Sequence, residues 1–140
     1  MDRIDEIREM FARSTFHTAF LGARLERVAS DEVDVSLQVE PRHLNLSGTL
    51  HGGMIATLAD TATGLAYRTC LPEGTNALTS SLSVTFLRPS EAGVVTAKGR
   101  VIKRGSWFGY AEADDVEADG RLLARAAATF MVVAASDPGQ

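Results

Sequence analysis

The stretch GGMIATLADTATGLAY, residues 52–67, is apolar, small or hydroxylated at every position except Asp60. It is long enough for about four helical turns and lies between HGG at residues 51–53 and the breaker LPEG at residues 71–74. Thr61, Thr63 and Gly64 weaken its intrinsic propensity, so burial by the rest of the chain must hold the helix. A helix apolar on nearly all sides needs protein around it, and the wall available here is the concave face of a curled sheet. The run is too short to span a bilayer and contains a charge.

The remaining sequence supplies that sheet. In DEVDVSLQVE, residues 31–40, Val33, Val35, Leu37 and Val39 alternate with Asp34, Ser36, Gln38 and Glu40, the pattern of a half-buried strand. AFLGARLERVAS, residues 19–30, provides its antiparallel partner through a turn at Ser30 and Asp31. Pro41 ends the pair, and a polar, glycine-containing loop leads to the helix. After Gly74, the segments at residues 77–89, 93–105, 106–120 and 121–135 read as four strands. Pro89, Gly93, Gly105 and residues 118–120 mark their turns, and an antiparallel meander of the four is expected. Ile4, Ile7 and Phe11 fall at helical spacing in a short amphipathic helix on the domain surface. The expectation is an α+β fold, one domain over residues 1–140, with five or six antiparallel strands, a long central helix and a short N-terminal helix. SDPGQ at residues 136–140 reads as a frayed tail.

Composition narrows the function. The chain has 140 residues, is 45% hydrophobic and carries a net charge of −4, a balance that disfavours a dedicated nucleic-acid binder. Cys70 is the lone cysteine, which excludes an internal disulfide and leaves no Cys/His zinc spacing. It reads as a core thiol in a reducing compartment. The charged N-terminus lacks the apolar centre of a secretory signal, so a cytoplasmic protein is expected. No G-x-S-x-G elbow, Walker loop or dinucleotide fingerprint occurs.

Asp60 invites two readings. An unpaired carboxylate in a low-dielectric setting costs several kcal/mol or neutralises, so a structural Asp60 would need hydroxyl partners such as Thr57, Thr61 or Thr63. A functional Asp60 would stand beside a pocket as general base or nucleophile. At the front of the helix, backbone N–H groups of Gly52 and Gly53 face outward at the positive end of the helix dipole, where a carbonyl oxygen gaining charge could be held. Glycine there also serves simple turn geometry. The eight steps from Gly52 to Asp60 span about 12 Å along the axis, too far for one carbonyl to meet both. Cooperation would require antiparallel helices of two copies across a two-fold axis.

The pattern N-x-x-G-x-x-H-G-G, residues 45–53, followed by LAD at residues 58–60, resembles the hotdog-fold acyl-CoA thioesterases of the phenylacetic-acid-degradation type. The resemblance extends through VTFLRP, GRVIKRG and DGRLLARAAATF, nearly the whole chain. It implies a sheet wrapped around a central helix, homodimers that pair into tetramers, active sites at the subunit interface, and an aromatic or medium-chain acyl-CoA as substrate without metal or organic cofactor. It implies that Asp60 activates water or attacks the thioester, that the Gly52 N–H polarises the carbonyl, and that Asn45 positions thioester or water. Thr79 is the best match for a hydroxyl that orients water, with Ser80 and Ser81 as alternatives. His51 shapes the turn or contacts the thioester, and Gly53 and Phe86 fall in the substrate-binding region. Gly64 stands where some relatives carry threonine. Lys103, Arg104, Gly105 and Ser106 open KRGSWF, residues 103–108, which corresponds to the segment that holds the nucleotide and pantetheine arm.

Lys98, Arg100, Lys103 and Arg104 form either an exposed strand face or a phosphate-binding cluster. Trp107 and Phe108 are open to core, interface or adenine contact. Competing expectations are an acyl carrier protein thioesterase, a dehydratase, and a non-catalytic acyl-CoA-binding module. The last is expected to lose the acid that Asp60 retains.

Overall fold

A computed structural model describes residues 2–135. The tail expected at residues 136–140 lies outside the described residues. The N-terminal helix α1, Arg3–Arg13, is capped by Asp2, whose side chain accepts the Asp5 N–H at 2.8 Å. It rests on the surface with Ile7 and Phe11 buried. A π-helical turn at Phe16–Phe20 leads into strand β1, Ala23–Ala29, which pairs antiparallel with β2, Glu32–Gln38. Their turn places Asp31 at φ 67° and fixes it by an Asp31 N–H bond to Thr69 Oγ1 at 2.8 Å. Val33, Val35, Leu37 and Val39 are buried, as their alternation requires.

The central helix α2, Gly52–Arg68, carries the chain across a six-stranded antiparallel sheet that also contains β3, Thr75–Phe86, β4, Val94–Lys103, β5, Phe108–Glu117, and β6, Leu122–Ala134. The strand order is β1-β2-β4-β5-β6-β3. This corrects the expected four-strand meander: only β4, β5 and β6 follow one another, while β3 pairs with β6 and β4 with β2. Period-two patterning identifies a strand but not its neighbour. The polar run Thr79, Ser80, Ser81, Ser83 suits an edge, and β6, apolar over most of its length, takes a neighbour on each side.

Beneath α2 the sheet is paved with small residues. Ala97, Ala111, Ala113, Ala124, Ala126 and Ala128 are almost completely buried there. A Cβ at Gly99 would stand 2.5 Å from the Ala62 carbonyl oxygen, and one at Gly109 would stand 2.0 Å from the Tyr67 ring. Helix backbone therefore approaches strand backbone closely. Ile55, Leu58, Ala59, Ala62, Ala66 and Tyr67 fill the contact, and the buried Thr63 hydroxyl donates to the Ala59 carbonyl at 2.8 Å. Tyr67 stacks on Phe130 with ring centroids 5.3 Å apart. This is the hotdog arrangement.

Candidate functional site

The loop before α2 is built from its own polar groups. Asn45 Oδ1 accepts the N–H groups of Ser47 at 2.9 Å and Thr49 at 3.1 Å, and Asn45 Nδ2 donates to Thr49 Oγ1 at 2.9 Å. One hydrogen on Nδ2 remains after these bonds. His43, which sequence reasoning did not single out, is buried and pins the loop: its Nδ1 accepts the Glu40 N–H, Nε2 lies 2.9 Å from the Leu21 carbonyl, and its carbonyl accepts the His51 N–H. His51 caps α2, its Nδ1 accepting the Gly53 N–H at 2.8 Å. A neutral His51 therefore carries its proton on Nε2, on an exposed ring.

That cap distinguishes the two glycines. The Gly53 N–H is engaged by His51, whereas the Gly52 N–H has no acceptor among the described residues. Gly52 lines a cleft of about 400 Å³ with Asn45, Thr49, Ile55, Phe86 and Arg88. A Cβ at Gly52 would lie 3.3 Å from the Phe86 ring, which forms one wall beside the donor.

Asp60 belongs to a second cavity, about 210 Å³, lined by His17, Thr61, Gly64, Leu65, Arg68, Ala77, Thr79 and Phe130. Thr79 Oγ1 donates to Asp60 Oδ1 at 2.7 Å. Thr57, Thr61 and Thr63 instead donate to the carbonyls of Gly53, Thr57 and Ala59 one turn back, each at 2.8 Å. A bulge between Thr79 and Ser81 separates the three candidate hydroxyls, and Ser80 Oγ donates to the Thr129 carbonyl. Within one chain Asp60 is half-buried in an open hollow, not enclosed in the dry setting expected from its neighbours in sequence. The chain also keeps Asp60 and Gly52 apart, in separate cavities.

The Lys103–Ser106 loop lies at the far end of α2, where the Tyr67 hydroxyl donates to the Gly105 carbonyl at 3.2 Å. A Cβ at Gly105 would stand 1.9 Å from the Phe108 carbonyl oxygen, so glycine is required there. Arg104 pairs with Asp31. Lys98 faces Asp34 across the β2–β4 ladder, and Arg100 pairs with Glu112 at 3.2 Å and Asp114 at 3.4 Å, so these two cations belong to a charged strand face. Among the described residues, no ion pair includes Lys103. Trp107 is 77% exposed and Phe108 52%, which removes the core option for both. Among the described residues no cluster of three or more His, Cys, Asp or Glu is placed to hold a metal.

Besides His43, two ionisable groups escaped sequence reasoning. His17 is linked to Ser14 Oγ at 2.7 Å and Thr61 Oγ1 at 3.1 Å, and burial lowers its pKa. Asp115 lies between Ala97 and Ala124 in the ladder, with neither carboxylate oxygen hydrogen-bonded. Burial, reinforced by neighbouring Asp114, pushes its pKa up to about 8. Its parity with Ala111 and Ala113 was the available signal.

Comparison with known proteins adds a family to this geometry. Residues 47–124 match the family model described as Thioesterase superfamily. Acyl-coenzyme A thioesterase 13 of Homo sapiens is 30% identical over 123 residues, covering 85% of this chain and 86% of the relative. A thioesterase family protein from Silicibacter pomeroyi has a structure that superposes with a TM-score of 0.87 at 29% identity, covering 94% and 98% of the two chains. The E. coli PaaI protein from the phenylacetic acid degradation operon shares the fold, with a TM-score of 0.84, 23% identity and coverage of 96% and 99%.

Proposed function

This chain belongs to the thioesterase superfamily, and from that premise we propose that it hydrolyses acyl-CoA thioesters to free acid and CoA, in the cytoplasm and without metal or organic cofactor. The carrying observation is the hydrogen bond from Thr79 to Asp60 beside a cavity, Asp60 lying on the helix whose first N–H, at Gly52, has no acceptor among the described residues. With Oδ1 held by Thr79, Asp60 Oδ2 is the oxygen left to take a proton from water or to attack the carbonyl.

In the general-base route, water adds to the thioester carbon as its proton passes to Asp60. The oxyanion is stabilised by the Gly52 N–H of a second copy, and the CoA thiolate leaves, taking up the proton from Asp60. Asn45 and the Nε2 proton of His51 flank that N–H and orient the thioester. Lys103, together with the Arg104–Ser106 backbone, meets the nucleotide and pantetheine arm.

A homodimer is part of this proposal, because Gly52 and Asp60 of one chain lie about 12 Å apart by helical rise. Strand β3 offers the means: its outer edge has no partner strand among the described residues, and Leu78 on it is 55% exposed. Antiparallel pairing of two β3 edges sets the two α2 helices antiparallel, and such dimers pair again into a tetramer.

Free-thiol release from a panel of aromatic and aliphatic acyl-CoAs tests the reading. The wild type is expected to turn over and Asp60→Asn to lose most of that rate while folded. Tight acyl-CoA binding with no thiol release would favour the non-catalytic module.

A further inference from the structure

Arg68 stands in the last turn of α2, about two turns beyond Asp60, and lines the same cavity of about 210 Å³. One of its N–H donors meets Asn76 Oδ1, an oxygen that also accepts the Ala77 N–H at 2.8 Å. Its other donors have no acceptor, and no ion pair includes it, among the described residues. We propose that the cavity takes an acyl group ending in a carboxylate, which Arg68 binds while Asp60 meets the thioester carbon. The proposal rests on the thioesterase reading and departs from the aromatic or medium-chain acyl group that the resemblance implies.

Charge is the first reason. Arg68 is half-buried, and burial, then the like charge of Arg3, hold its pKa below the usual arginine value. Glu6 acts the other way but is already paired with Arg3 at 3.1 Å. Guanidinium stays charged in proteins, so this one lacks an anion of its own, and a carboxylate at its free donors would form a charge-assisted pair. Without Arg68, a substrate carboxylate in this cavity would meet only the like charge of Asp60, because burial keeps His17 neutral.

Span is the second. Asn76 holds the guanidinium and Thr79 holds the Asp60 carboxylate, and on β3 these two residues lie about 10 Å apart at the rise of an antiparallel strand. Less one hydrogen-bond length at either end, about 4 Å remains between the thioester carbon and the bound anion. A short dicarboxylic acyl chain bridges that gap. The pantetheine arm places its phosphates much farther from the sulfur, so they do not fit it.

The third is Gly64, one helical turn from each charged group. A Cβ there would make only ordinary contact, 3.7 Å from the Phe130 ring, so the path between carboxylate and guanidinium is bare without being crowded. The hollow beside α1 makes a contrast: about 190 Å³ and walled by Met10, Phe11, Ser14, His17, Thr61 and Leu65, it shares the last three with this cavity but has no charged side chain.

The test is kcat/KM for glutaryl-, pentanoyl- and phenylacetyl-CoA, corrected for spontaneous hydrolysis, with wild type, Arg68→Gln and Arg68→Lys. The wild type is expected to favour glutaryl over pentanoyl by about tenfold or more, a preference that shrinks as salt rises. Arg68→Gln is expected to cut the glutaryl-to-pentanoyl ratio by about tenfold, mainly through KM, and Arg68→Lys to restore part of it. The salt dependence is read on wild type alone and serves if Arg68→Gln folds poorly. A wild type that favours pentanoyl, or a salt-independent ratio, would overturn the assignment while the thioesterase reading stands. So would an equal loss on all three substrates in folded Arg68→Gln, as for a guanidinium that meets a CoA phosphate or only the helix end. Absence of turnover on all three by wild type would overturn both.

Discussion

Thr79 on the edge strand and Asp60 midway along α2 are joined by a 2.7 Å hydrogen bond from hydroxyl to carboxylate. It spans two elements that are also joined by a hydrogen bond from Arg68 to Asn76 Oδ1, and it fixes one carboxylate oxygen while the other has no hydrogen bond among the described residues. Asp60→Asn is therefore expected to lower kcat by roughly 10³. Thr79→Val, which removes the donor but keeps the shape, should cost about tenfold with little change in KM. Stopped-flow thiol detection on folded variants checks both. A Thr79→Val enzyme as slow as Asp60→Asn would mean that the hydroxyl itself enters the chemistry.

The proposed sharing of sites between two subunits predicts complementation. Mixing Asp60→Asn chains with Asn45→Ala chains should give heterodimers with one intact site, restoring about a quarter of wild-type activity at statistical exchange. Inactive mixtures, with exchange verified by native mass spectrometry, would argue that each chain works alone.

At the helix front, Gly53→Ala places a methyl 2.9 Å from His51 Nδ1 and must push the ring off its cap. Loss of such a cap costs about 1 kcal/mol. The Gly52 donor also turns with the helix end. A lowered Tm together with a reduced kcat/KM is expected, and an unchanged Tm would show that the ring was not holding the turn.

Asp115 sets a pH dependence. Its pKa rises from 3.8 to about 8 on folding, through burial and then Asp114. Between those values the folded chain keeps a proton that the unfolded chain has released, so stability from this group is complete at low pH and falls by up to about 1.4 kcal/mol per pH unit until the folded carboxyl ionises. Asp115→Val removes the liability and should be more stable than wild type by a few kcal/mol at pH 8, with a smaller margin at pH 5. Urea titrations at the two pH values measure this. A margin that does not grow with pH would mean that Asp115 is already ionised in the folded state.

Much of this was legible because patterning is a local record of burial. The alternation of Val33, Val35, Leu37 and Val39 reported a face that the structure buries, and the mostly apolar and small residues 54–67 reported a helix that the structure buries along one side. Asp60 stood out as a lone charge, and its 12 Å separation from Gly52 followed from helical rise alone. Partner choice left no such trace. The place of β3 beside β6 depends on where α2 delivers the chain, and the engagement of Gly53 rather than Gly52 depends on a ring rotamer of His51. Asp115 was hidden within an acidic run, where one residue of register decides between solvent and core.

The alanine and glycine floor beneath α2 has nothing to trim and no room to grow: enlarging Gly99 or Gly109 collides with the helix, and shortening the alanines leaves glycine. The parts of this fold thus have unequal freedom to vary. The floor and helix are a fixed chassis, whereas Met10, Phe11 and Ser14 arrive from a separate N-terminal segment that touches the chassis from one side. Exchanging residues 2–18 alone would rebuild one wall of the hollow beside α1 while leaving the Asp60 carboxylate, the Thr79 hydroxyl and the Gly52 N–H where they are.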